Sequence, residues 1–224
     1  MEGLKYYIAQ FLSYTLHPGI MPTIGTVLVL GFLPETFEWH FIIRVLLTVF
    51  LGTYVGPFLG IIVLKITGVI SSVHLKEREE RVYPYIIGAA SMIATGNQLE
   101  ISGIPIEITW SVYLSAFVVI ISTILLPFFK SSAHAAGVFA LFALYICLHQ
   151  RYGGGEIIHL FIGAVVLGAL SWARLELKRH SLQELLSGAL LGFVPMFLLL
   201  SKWIKSFTHY TCSRRNNWGY LRFL

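Results

Sequence analysis

The sequence predicts an all-α protein, a polytopic transmembrane helix bundle of six or seven spans with an interfacial helix at its N-terminus. Three observations carry this expectation. The chain of 224 residues is 56% hydrophobic and only 12% charged, about half the roughly 25% charged share of soluble domains, and its mean hydropathy is +0.76. Several nearly uncharged runs approach the roughly 20 residues that a spanning helix needs. The charged residues gather between those runs, as the cost of fixed charge inside a bilayer demands.

Taken in order, residues 3–16 mix apolar and polar positions (Leu4, Tyr7, Ile8, Phe11, Leu12) in the manner of a helix lying in the interface. A short first span follows over 20–33, bracketed by His17-Pro18-Gly19 and Pro34. A long one covers 41–70 and carries Gly52, Gly56 and Gly60, four apart, a spacing that lets a neighbouring helix approach closely. A charged loop over 71–83 leads to a hairpin of a short segment, 84–95, and a long span, 106–129. The remaining spans are 134–148, 157–172 and 182–204. Residues 1–204 thus read as one transmembrane domain. The basic polar tail, 205–224, is assigned no fold.

The formal net charge of +5 comes from cations in short loops and in the tail. Anionic lipid headgroups, rather than nucleic acid, are the expected partners. Cys147 lies in an apolar run and Cys212 in the tail, which gives neither a disulfide framework nor a metal site. No cofactor is expected. The N-terminus shows no short apolar core followed by a small-residue cleavage site, so no removable signal peptide is expected.

Two polar clusters interrupt the apolar pattern. One is Lys130-Ser131-Ser132-Ala133-His134; the other runs from Arg174 through His180 to Glu184. His180 and Glu184 are four apart, hence on one helical face, where a carboxylate can hold and polarise an imidazole. Two spans separate the 71–83 loop from the first cluster and two more separate the first from the second. All three charged segments therefore meet the same side of the membrane. Lys and Arg fall almost evenly on the two sides. The positive-inside rule weakly favours a cytoplasmic site, but discounting functional cations makes the basic tail favour an outward one.

Arg174-x5-His180-x3-Glu184, followed by Gly188, resembles the third signature of the type 2 phosphatidic acid phosphatase superfamily, Ser-Arg-x5-His-x3-Asp. Ser132-x-His134 resembles its second signature, Pro-Ser-Gly-His. The likeness covers roughly residues 70–200 and suggests a short, divergent bacterial branch. The first signature, Lys-x6-Arg-Pro, is not matched; its nearest equivalent is Lys76-Glu-Arg78-Glu-Glu-Arg81-Val-Tyr-Pro84. Glu184 stands where the family has Asp, and Ser131 and Ala133 replace the Pro and Gly around Ser132.

The resemblance implies a metal-independent phosphatase acting on a lipid phosphate or pyrophosphate. Such chemistry consists mainly of positioning and charge stabilisation. Arg174 would grip two phosphoryl oxygens, with Lys130, Lys76 or Arg81 neutralising the rest and Ser132 completing the cradle. His180 would attack phosphorus, with Glu184 fixing its tautomer. His134 would protonate the leaving oxygen and then activate water. His17, His40, His149, His159 and His209 are expected to be interfacial polar residues. A haem site at His149 and His159 is disfavoured, because axial histidines should face each other deep in a bundle. The competing expectation from another class is a non-catalytic relative that binds or transports lipid.

Overall fold

The computed structural model describes residues 2–71, 82–154 and 157–218. These form helices and turns, with no strand among them. Helix α1 (Glu2–Thr15) is followed by a 3-10 turn (Pro18–Ile20) and α2 (Met21–Phe32). Helix α3 (Trp39–Phe50) runs through a π-helical turn (Leu51–Val55) into α4 (Gly56–Ile66). Then come α5 (Val82–Ile101), α6 (Ile106–Leu125), α7 (Ala133–Tyr152), α8 (Ile157–Glu176) and α9 (Leu182–Trp218). Among the described residues, six helical segments are long and apolar enough to cross a membrane.

Two boundaries differ from expectation. The segment read as 84–95 is a helix of 20 residues, about 30 Å long and hence of spanning length. Its polar end is held within the fold. The Tyr113 hydroxyl reaches Asn97 Oδ1 at 2.6 Å and Glu100 Oε2 at 2.9 Å. The basic tail does not lack a fold throughout, because α9 continues unbroken to Trp218. The N-terminal helix forms over the expected residues. It packs against α8 with Ala9 and Ser13 buried, while Leu4, Tyr7, Phe11 and Tyr14 are exposed.

Helices in a bilayer gain little from hydrophobic burial against one another, so close backbone approach through small residues holds them together. Gly52, Gly56 and Gly60 face Thr95, Ser91 and Ile87 of α5, each at a distance where a Cβ would collide or crowd. The Ser91 hydroxyl adds a hydrogen bond to the Gly52 carbonyl at 2.5 Å. These glycines are therefore packing residues. The main apolar core joins α2, α3, α5, α6, α7 and α9 through Val29, Val49, Leu99, Ile108, Leu144 and Leu200. At one end of the bundle a buried Glu107 ties α6 to α7. It accepts the Tyr152 hydroxyl at 2.5 Å and pairs with Arg151 at 3.6 Å. The other end carries the polar clusters.

Candidate active site

The tightest interface in the molecule assembles this end. On α9, Gly188 sits against the backbone of Ser132, and Gly192 against the backbone of Ala136; a Cβ at either position would overlap main-chain atoms of α7. The approach lets the Ser132 N–H donate to the Glu184 carbonyl at 2.9 Å. The first turn of α9 is thereby fixed against the first turn of α7. Residues separated by some fifty positions in sequence become neighbours.

Within that frame each side chain has a local cause. Ser132 is the N-cap of α7, accepting the Ala135 N–H at 3.4 Å, and is fully buried. Its carbonyl accepts from Ala136, so Ser132 is first a structural bracket. At the start of α9, Ser181 and Glu184 form a reciprocal capping box. The Glu184 N–H donates to Ser181 Oγ at 3.3 Å, and the Ser181 N–H donates to Glu184 Oε2 at 3.2 Å. The carboxylate held in this way lies 2.9 Å from His180 Nδ1. The glutamate arm is long enough to reach the ring. With Nδ1–H donating to the carboxylate, the lone pair of His180 lies on Nε2.

The loop between Arg174 and His180 is equally determined. Arg179 N–H donates to the Arg174 carbonyl at 3.2 Å and Lys178 N–H to the Leu175 carbonyl at 2.9 Å. Lys178 sits between them with φ of 49°. This is the hydrogen-bond pattern of a Schellman motif, with lysine where glycine is usual. Lys130, in the loop before α7, spans the gap, its Nζ 3.3 Å from the Arg179 carbonyl and 3.8 Å from Glu184 Oε2.

Burial holds the His180 imidazole well below its ordinary pKa of 6.5, at about 4. The Arg174 and Lys130 cations push the same way, and Glu184 opposes them. The ring is neutral at physiological pH. Its side chain is only 7% exposed.

Two participants come from a segment that sequence reasoning left out. Ser13 of α1 accepts Arg174 Nη1 on its hydroxyl at 2.6 Å, and its carbonyl lies 3.1 Å from His134 Nε2. That contact puts the His134 proton on Nε2. The only sequence signal for Ser13 is its small size, four residues after Ala9 on a helix of large apolar residues. His17, expected to be an interfacial residue, stands edge-on to the His134 ring with centroids 5.7 Å apart. Its Nδ1 accepts the Gly19 N–H at 3.1 Å.

The structure therefore brings together Lys130, Ser132, His134, Arg174, His180 and Glu184. Arg174 and His180 also lie within electrostatic range of His134. Lys76 and Arg81 lie outside the described residues. Helix α5, which follows them, begins at the same end, since Pro84 borders the same cavity as Ala133. His149 and His159 contact Tyr145, far along α7 from His134. Among the described residues, no group of three or more His, Cys, Asp or Glu side chains is arranged to hold a metal ion. The chain matches no protein-family model, no curated protein and no solved structure.

Proposed function

We propose that this integral membrane protein is a metal-independent phosphatase for a lipid phosphate or pyrophosphate, working through a phosphohistidine. The observation that carries the proposal is the buried His180, its Nδ1 2.9 Å from Glu184 Oε2, with the Arg174 and Lys130 cations near it. Its Nε2 lone pair attacks phosphorus as the bond to the lipid oxygen breaks, while His134, entering the cycle as the imidazolium, gives that oxygen a proton and is left neutral. A water molecule, deprotonated by His134, then cleaves the N–P bond and releases phosphate. Arg174 matches two phosphoryl oxygens with its planar fork. The Ser13 hydroxyl and carbonyl mark acceptor positions that phosphoryl oxygens can take over at Arg174 and His134. We place the protein in a bacterial inner membrane, with the site facing the periplasm.

The test is phosphate release by the purified, detergent-solubilised protein from a panel of polyprenyl pyrophosphate, phosphatidic acid, phosphatidylglycerol phosphate and phosphorylated lipid A. Turnover that survives a chelator is expected. Loss of activity in chelator with recovery on adding a divalent metal refutes the metal-free scheme. The capped, fully buried Ser132 favours a second reading, a lipid-binding relative without turnover. Retained lipid binding with no phosphate release from any substrate would select it.

A further inference from the structure

A cavity of about 260 Å³ opens inside the bundle beside the site. His17, Pro84 and Ala133 border it at the end where His134 stands, and Met92, Leu144 and Met196 line it farther in. Along α7 its lining runs from Ala133 to Leu144, a rise of about 16 Å at 1.5 Å per residue. That is half of the roughly 30 Å hydrocarbon thickness of a bilayer, the depth of one leaflet.

The wall is dry. The hydroxyls of Ser111, Ser115 and Ser122 donate to carbonyls of their own helix, each at 2.8 Å. These three donors are thus spent within α6. An apolar cavity of this kind does not hold ordered water, and leaving it empty is destabilising. The methionines at its inner end adapt readily to a flexible occupant.

We propose that this cavity takes one extended hydrocarbon chain of the amphiphile whose phosphate sits at Arg174 and His180, so that the chain lies within the protein rather than between helices in the lipid. The proposal rests on the phosphatase reading for the headgroup and adds a chain-length selectivity set by Ala140 and Leu144. Ala140 lines the cavity part-way in, and Leu144 lies one turn deeper. Neither belongs to the catalytic group.

The probes are straight-chain alkyl phosphates of graded length, and alkyl phosphonates bearing a photoreactive diazirine at the chain end. For the intact protein, kcat/KM should rise with chain length and then level off. Ala140→Leu should move that plateau to shorter chains, with at least a tenfold loss for the longest chain and less than a twofold change for the shortest. Leu144→Ala should move it to longer chains. Photolabel should appear on Met92, Leu144 or Met196, and cross-linking to lipid-facing Ile124 or Phe161 would overturn the proposal. So would equal effects of both substitutions at every chain length. Label inside the cavity with no phosphate released at any length upholds the chain site and refutes the phosphatase.

Discussion

Replacing Gly188 by alanine tests whether the contact between α7 and α9 sets the geometry of the site. The added Cβ would lie 3.0 Å from the Ser132 nitrogen, 3.1 Å from its carbonyl carbon and closer still to its oxygen. All three are main-chain atoms and cannot rotate away. To reach ordinary contact distance the helices must separate by roughly 0.5–1 Å. The Ser132–Glu184 hydrogen bond, now 2.9 Å, would then stretch to the limit of what counts as one or beyond. His180 and Glu184 would move with α9, while Lys130, Ser132 and His134 stay with α7. A displacement near 1 Å costs about 100-fold in rate, and the overpacking costs about 1–3 kcal/mol of stability. The assay pairs phosphate release with vanadate affinity and a thermal melt in detergent. The control is Gly168→Ala on α8, where nothing lies within 4 Å of the added methyl group; it should behave like wild type. If Gly188→Ala turns over and binds vanadate within twofold of wild type, the contact does not determine the site.

Three further outcomes are expected. His180→Ala should abolish phosphate release with an unchanged melt, whereas His134→Ala should slow turnover least for substrates with good leaving groups; near-native activity in the first variant would remove His180 as nucleophile. Because the folded protein holds His180 at about 4 against an ordinary 6.5, its neutral form favours folding fully above pH 6.5, and that stability is lost as pH falls toward 4. Melting temperature should therefore drop across that window, and His180→Phe should flatten the drop; an unchanged slope would mean that other groups cause it. Lys178→Gly relieves a left-handed residue at the end of α8 and should raise stability by about 1 kcal/mol, while Lys178→Val should lower it. A lysine that melts no lower than the glycine would contradict the strained turn.

The motif that joins Arg174, His180 and Glu184 was legible because all three lie within eleven residues, but His180 and Glu184 do not share a helical face. Arg174 is on α8, His180 is in the turn and Glu184 is in the first turn of α9, where the capping box brings its carboxylate back to the ring. Their meeting with Lys130 and Ser132 followed from counting spans, which fixes the end of the bundle at which a residue emerges. Spacing along one helix says nothing of which neighbour is pressed against it. Ser13 and His17 were missed because their partners are more than a hundred residues away. Gly188 was noticed as part of a pattern, but Gly192, with the same contact one turn on, was not. The boundary of α5 was misjudged for a physical reason. Asn97, Gln98 and Glu100 resemble a loop until Tyr113 supplies polar contacts to Asn97 and Glu100, and Ser102 one to Gln98. The basic tail likewise concealed the continuation of a helix of which only Leu182–Lys202 is apolar enough to cross a membrane.

The π-helical turn at Leu51–Val55 acts as a phase corrector. In a regular α-helix a step of four residues overshoots a full turn by about 40°, so glycines at 52, 56 and 60 would spiral away from a straight neighbour. The wider turn winds more slowly and takes back part of that overshoot just where Gly52 passes to Gly56. The three glycines thus stay in line along α5. Deleting a single residue from this turn would rotate everything beyond it by about 100°. Gly60 would swing off Ile87 and leave a side chain in its place, so the two rods could no longer mesh over their common length.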